Sequence, residues 1–205
     1  MVTSAQIKAY LRYIALFMAF FVPVFIGGGL IGGMAAERVS LHLVVEDSFP
    51  FLPEAVWAYL SLYTIFLLPL IHLSVEDMQR LGHQSVFIIL VSGPFYVFLP
   101  ALNSYPQPDV TGLQGIVIDA IRQVDILHNL VPSLHIAFAW LILLETRRKV
   151  GVGLGFLYLG WAVIVTLATV LLHRHYLLDL ASGFALALLA RRLFPFRPQA
   201  TADAQ

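Results

Sequence analysis

The feature that most constrains the fold of this 205-residue chain is a series of long apolar runs that few charges interrupt. A helix needs roughly 20 mostly apolar residues to cross the hydrocarbon core of a bilayer. The runs are continuous rather than alternating, and a lone strand cannot satisfy its backbone hydrogen bonds in lipid. The sequence therefore predicts an all-α integral membrane bundle of six transmembrane helices. The six runs are Tyr13–Met34, Ala55–Leu73, Val86–Leu102, Pro132–Thr146, Val150–Leu172 and Tyr176–Phe194.

The composition agrees with a bilayer environment and excludes several functional classes. Charged residues make up only 12% of the chain, whereas about a quarter is usual in soluble domains. A formal net charge of zero gives no basic excess for binding nucleic acid, so we predict no nucleic-acid partner. The absence of cysteine excludes thiol catalysis and iron–sulfur clusters. We expect one membrane domain over residues 1–197 and a small, polar, disordered tail over residues 198–205.

The positions of the basic residues predict the orientation of the bundle. Nine of the 12 Lys and Arg residues precede the first run, lie at or beyond the end of the last run, or follow the second and fourth runs. Only Arg38, Arg122 and Arg174 fall on the other side. Because basic segments stay in the cytoplasm, we predict a plasma- or inner-membrane protein with both termini cytoplasmic. The connections 35–54 and 103–131 are then extracytoplasmic, and long structureless connections of this kind are commonly lids or binding loops.

His175 and Asp179 form the first candidate catalytic pair. Residues four apart lie on one face of a helix, and helical side chains lean toward the N-terminus, so Asp179 points back toward the ring of His175. A carboxylate that accepts the proton of one ring nitrogen leaves the other nitrogen with a free lone pair. This arrangement suits a histidine nucleophile or an oriented base.

His135 adds a second histidine at the mouth of a predicted helix on the same face of the membrane. Pro132 suits the first turn of that helix, and Ser133 presents a hydroxyl beside the free N–H groups of the helix N-terminus, which favour anions. Nucleophile, orienting carboxylate, anion site and general acid together indicate phosphoryl or acyl transfer. Four further residues are candidates for contacting a phosphate, two of them as guanidinium groups. These are Arg174, Arg122, His128 and Asn129.

A metal site is the competing interpretation of the same residues. His173, His175, Asp179 and His135 have suitable donor atoms. Residues two apart on a helix diverge by roughly 200°, so His173 and His175 converge only if the chain there is not helical. We predict no metal and no other cofactor.

These motifs resemble two signatures of the type 2 phosphatidic-acid phosphatase superfamily. Pro132-Ser133-Leu134-His135 is similar to the second signature, which usually reads Pro-Ser-Gly-His, and His175-x-x-x-Asp179 followed by Gly183 resembles the third. The leucine in the first motif, the preceding Asp125 and Asn129, and the His-Tyr-x-x-Asp order are most similar to the branch that contains inositol-phosphorylceramide synthase.

The resemblance implies a metal-independent membrane phosphatase or phosphotransferase that forms a phosphohistidine. His175 would attack phosphorus, Asp179 would orient it, His135 would protonate the departing alcohol, and Ser133 would help to hold the phosphate. The expected partners are the bilayer, a lipid phosphate or phospholipid substrate, and water or an alcohol as acceptor. A headgroup transferase rather than a hydrolase, and an inactive lipid-binding or transport protein, remain alternatives.

Two cations of the family pattern are missing from this chain. The first signature contains a Lys and then Arg-Pro, but residues 99–109 include no Lys or Arg. Ala168 and Thr169 stand where the third signature often has Ser-Arg. Either Arg122 and Arg174 replace these cations or the substrate carries less charge at phosphorus. The second possibility favours transfer of a phosphodiester headgroup over hydrolysis of a monoester.

The predicted orientation can be checked with a reporter fused after Arg197. Because basic residues dominate the side of the termini, we expect the reporter to be active only in its cytoplasmic form. A reporter that is exposed outside the cell would contradict the assignment.

Overall fold

The computed structural model describes residues 2–126 and 128–196, and nearly all of its regular structure is helical. The predicted disordered tail, residues 198–205, lies outside the described residues. In chain order the helices are α1 (Ser4–Val22), α2 (Gly28–Gly33), α3 (Val56–Ile65), α4 (Leu68–His72), α5 (Val75–Phe98), α6 (Gly112–Val124), α7 (Leu134–Thr146), α8 (Val152–Leu171) and α9 (Leu177–Leu193). Two short strands, β1 (Val39–Ser40) and β2 (Ala101–Leu102), pair in parallel with Val39 opposite Ala101.

Three helices in the described part of the chain are long and apolar enough to cross a membrane. One is the 30-residue segment Ser4–Gly33, in which a π-helical turn joins α1 to α2, and the others are α5 and α8. Leu30, Phe156 and Leu157 on these helices are 68–69% exposed, as expected where lipid replaces water. The prediction is therefore confirmed in part: the described chain is mostly helical, and three of its helices could cross a membrane by length and composition.

The remaining three predicted runs form shorter helices. The run from residue 55 to 73 is interrupted between α3 and α4, and α7 has only 13 residues. Eleven of those 13 residues are buried, because α7 packs against α3, α4, α5, α8 and α9. A helix that is apolar on every side belongs in the centre of a bundle. The N-terminus of α7 thus opens into the middle of one end of the protein.

The predicted structureless connection 103–131 contains a helix, α6, which the sequence analysis missed. Its buried side carries Gly115 and Ile118, and it packs against α3 at the histidine end of the bundle. Apolar residues recur at helical spacing through this segment, a pattern that indicates an amphipathic helix. The chain leaves α6 at Asp125, so this helix determines where that carboxylate lies.

Buried ion pairs fasten the opposite end of the bundle. Glu145, at the end of α7, is fully buried and accepts hydrogen bonds from Gln84 of α5 and Arg191 of α9. Lys149 forms an ion pair with Asp77 at the start of α5, with 2.6 Å between Nζ and Oδ2. These contacts hold the cationic ends of α7 and α9 against α5.

Replacing Glu145 by alanine is expected to destabilise the protein by about 3 kcal/mol, because Arg191 loses its carboxylate partner in a largely buried position. Thermal unfolding in detergent measures this change. Glu76→Ala is the matched control, since Glu76 is exposed and forms no ion pair within the described residues. Equal unfolding temperatures for the two variants would contradict the role of Glu145.

Candidate active site

His135 lies in the first turn of α7. Ser133 is the N-cap, and its hydroxyl oxygen accepts a hydrogen bond from the N–H of Ile136 at 3.4 Å. Capping by serine stabilises a helix start because the first N–H groups have no partner within the helix. Ser133 is fully buried and does not line the cavity beside His135.

His175 lies in the turn between α8 and α9. This turn is not helical, and His173 adopts the left-handed conformation with a φ of 54°. The turn aims the His173 ring away from His175 and toward the carbonyl oxygens of Phe49 and Pro106, at 3.2 and 3.4 Å. His175 itself is 5% exposed and faces α7.

Four side chains form a continuous chain of hydrogen bonds through the site. Nδ1 of His175 is 3.3 Å from Oδ2 of Asp179, and its Nε2 is 3.1 Å from Nδ1 of His135. Nε2 of His135 is in turn 2.7 Å from the hydroxyl of Tyr59 on α3. Asp179, Tyr59 and both histidines therefore lie in a single row that joins three helices and a turn.

The chemistry of the end groups sets the direction of this row. A carboxylate only accepts hydrogen bonds, so Nδ1 of His175 carries a proton and donates to Asp179. With both rings neutral, Nε2 of His175 then has the lone pair and accepts from Nδ1–H of His135. Nε2 of His135 accepts from the hydroxyl of Tyr59. The structure thus supports the tautomer that a nucleophilic His175 requires.

Arg174 brings a cation to the same place. Its Nε and Nη2 donate to Oδ2 of Asp125, while the buried Nη1 has no partner among the described residues. Asn129 lies nearby and donates from Nδ2 to the carbonyl oxygen of Phe25 at 2.6 Å. The Nη1 group of Arg174 is a free donor beside the histidines.

A cavity of about 20 Å³ lies between these groups. That volume is sufficient for about one water molecule. Its lining includes four of the predicted site residues, namely His135, His175, Arg174 and Asn129.

Besides Ser133, two further predicted phosphate contacts lie outside the cavity lining. Arg122 donates to Asp119 and to the carbonyl oxygen of Pro108, both at 3.0 Å, and does not line the cavity. Nε2 of His128 is 2.6 Å from the carbonyl oxygen of Gly29, again away from the cavity lining. Both side chains fasten loops to neighbouring segments instead of facing His175.

Sequence reasoning missed three contributors to the site. The sequence does not distinguish Tyr59 from Tyr63 as a site residue, because only the fold shows which tyrosine contacts His135. The pairing of Asp125 with Arg174 depends on α6. Glu46 is fully buried and accepts from the N–H of Leu177, which fastens the loop before α3 to the start of α9. No local pattern distinguishes Glu46 from the neighbouring Asp47, so its burial could not be predicted from sequence.

An apolar groove of about 420 Å³ reaches the same site from the side of the bundle. Phe17, Phe21, Phe66 and Phe138 are among its lining residues, and so are His135 and Asp125. The groove passes between α1, α3 and α7. An aliphatic chain in it would place its polar end at the histidines.

No group of three metal-binding side chains exists within residues 2–126 and 128–196. Comparison of the chain with protein-family models, with curated proteins and with solved structures finds no match. The site is therefore interpreted from its own geometry.

Gly183 on α9 allows the close approach of α7 on which the site depends. A Cβ atom there would lie 2.4 Å from the carbonyl oxygen of Ser133. We expect Gly183→Ala to lower the free energy of unfolding by about 1–3 kcal/mol, because backbone must shift to admit the methyl group. Thermal unfolding in detergent measures this loss.

The matched control is Gly160→Ala in α8, where nothing lies within 4 Å of a new Cβ atom. Alanine favours a helix interior over glycine by up to about 1 kcal/mol, so this control should be neutral or stabilising. An unchanged stability in Gly183→Ala would show that α7 and α9 are less tightly apposed than described.

Proposed function

We propose that this protein is an integral membrane enzyme that cleaves a lipid phosphoester through a phosphohistidine on His175. The observation that carries the proposal is the directed row of hydrogen bonds from Asp179 to Tyr59. It leaves the nucleophilic lone pair at Nε2 of His175, beside an arginine with a free N–H group.

In the first half-reaction Nε2 of His175 attacks phosphorus, and the bond from phosphorus to the alcohol oxygen breaks. Asp179 stabilises the positive charge that develops on the ring. The negative charge of the substrate favours protonation of His135, and the resulting imidazolium gives its Nδ1 proton to the departing alcohol. In the second half-reaction His135 takes a proton from water or an acceptor alcohol, which attacks phosphorus and releases His175.

Substrate entry requires the two imidazoles to separate. Their 3.1 Å contact occupies the position that phosphorus must take. Reacting atoms approach to about 3–3.5 Å and a proton donor to about 2.6–3.2 Å, so in-line transfer needs the rings roughly 6 Å apart or more. We therefore take the small cavity and the direct contact between the rings as a closed state of the site, which must open before a substrate binds.

The apolar groove supports a lipid as the substrate. Its aromatic lining suits an aliphatic chain, and the same lining includes His135 and Asp125. Membrane enzymes commonly bind such substrates in largely apolar clefts with a few polar groups at the reacting end.

The charge of the site supports a phosphodiester rather than a monoester. Among the residues lining the small cavity, Arg174 is the only Lys or Arg, and its charge is already balanced by Asp125. A phosphomonoester carries about 1.5–2 negative charges at neutral pH, and a diester carries less. We therefore favour headgroup transfer or diester cleavage over release of inorganic phosphate.

The proposed setting is a six-span bundle in the plasma or inner membrane, with the termini in the cytoplasm and the site outside. The excess of Lys and Arg at the end that holds the N-terminus of α1 supports this orientation.

Incubation of the purified protein with labelled lipid phosphates, with and without alcohol acceptors, tests the proposal. We expect the wild type to act on a phosphodiester in preference to a monoester. His175→Ala should lose activity by about 10³-fold or more, because no other group supplies the nucleophile. Mass analysis of the products identifies the donor and the acceptor together.

His72→Gln is the control, since His72 contacts Tyr158 and lies outside the site. It should retain wild-type turnover. Undiminished turnover in a folded His175→Ala variant would contradict the proposed nucleophile. Inhibition by a chelator that a divalent metal reverses would favour metal-assisted chemistry instead.

A further inference from the structure

A second cleft, of about 390 Å³, lies between α1 and α5 at the end of the bundle opposite the histidines. Gln6 of α1 donates to the carbonyl oxygen of Leu73, which places the start of α1 beside the start of α5. Lys149, after the far end of α7, pairs with Asp77 of the same region. The cleft is therefore separated from the candidate active site by the length of α7.

Basic side chains line one side of this cleft. Lys8 and Arg12 stand one turn apart on α1, and His83 faces them from α5. Within the described residues neither Lys8 nor Arg12 forms an ion pair. Like charges four residues apart on a helix repel each other, and no carboxylate lines the cleft. An anion bound between them would relieve that repulsion.

The floor of the cleft is apolar. The ring of Tyr13, which is 3% exposed, and the small residues Ala9 and Gly82 form its base, while Leu16 and Met78 border it. A soluble anion would gain nothing from these surfaces, whereas a lipid would cover them with hydrocarbon. The combination of cations at the rim and apolar side chains below matches the two parts of a phospholipid.

We propose that this cleft binds an anionic phospholipid, with its phosphate between Lys8, Arg12 and His83 and the start of an acyl chain over Tyr13 and Gly82. Basic pockets between membrane helices are suited to anionic headgroups, and the positive-inside prediction places this end in the leaflet where such lipids concentrate. The proposal is independent of the proposed catalytic function, because the two sites share no residue.

The test titrates phosphatidylglycerol into phosphatidylcholine nanodiscs that hold the full-length protein and measures retained lipid by native mass spectrometry. The wild type should retain phosphatidylglycerol in preference to phosphatidylcholine. Each basic residue near a membrane surface contributes about fivefold in affinity, so Lys8→Gln with Arg12→Gln should weaken retention roughly 30-fold.

Arg147→Gln with Arg192→Gln is the matched control. It removes two exposed charges from the same end of the bundle but outside the cleft, and it should leave retention unchanged. An equal loss in both double variants would overturn the proposal, because general surface charge would then explain the binding. Equal retention in the wild type and the Lys8/Arg12 double variant would also overturn it.

Gly82→Leu tests the cleft without changing its charge. A Cβ atom there meets Leu16 at an ordinary contact distance of 3.4 Å, and the longer side chain extends into the cleft. We expect weaker retention of phosphatidylglycerol in this variant, and unchanged retention would count against the apolar part of the site. Displacement of the lipid by glycerol 3-phosphate at equal concentration would overturn the lipid proposal in favour of a free phosphate site.

Discussion

The carboxylate of Asp179 is the group on which the rest of the candidate active site depends. It accepts hydrogen bonds from the ring of His175 and from the N–H of Tyr176 at 3.0 Å, so it fixes a tautomer and caps the start of α9 at once. Because each neutral ring has one nitrogen that donates and one that accepts, the hydrogen bond to Asp179 also determines which nitrogen of His135 carries a proton. Nε2 of His135 is then left to accept from the hydroxyl of Tyr59. The close approach of α7 at Gly183 brings the two halves of the row within hydrogen-bond distance.

The most predictable parts of this protein are those that local sequence determines. The apolar runs predict a helical protein. The contact between His175 and Asp179 was expected from helical spacing, but His175 precedes α9, and the contact forms because Asp179 in the first turn of α9 reaches back to the turn before the helix. The position of Tyr59 depends on packing between α3 and α7, which no local pattern encodes. Arg122 was predicted at the site because the predicted topology puts it on the same face of the membrane as His175. The amphipathic helix α6 holds it against its own loop and sends Asp125 to Arg174 instead.

The resting arrangement also limits the substrates that fit. In the proposed reaction phosphorus would have to part the two histidines, and Arg174, the one arginine that lines the small cavity within the described residues, is already paired with Asp125. A singly charged phosphoester needs less positive charge from the protein than a doubly charged one does. The charge of the proposed site therefore favours the diester over the monoester. The groove lined by Phe17 and Phe138 also includes His135, so it provides room for an apolar chain beside the proposed site of reaction.

The central claim is that a covalent bond forms between phosphorus and His175. Rapid quenching of the turning-over enzyme in base, followed by tandem mass spectrometry, locates such a bond directly. We predict an acid-labile, base-stable phosphoryl adduct on His175 that keeps the remaining alcohol group of a diester substrate, and no such adduct in the His175→Ala variant. A phosphoryl adduct on another residue, or turnover of a labelled lipid without any modified histidine, would contradict the account.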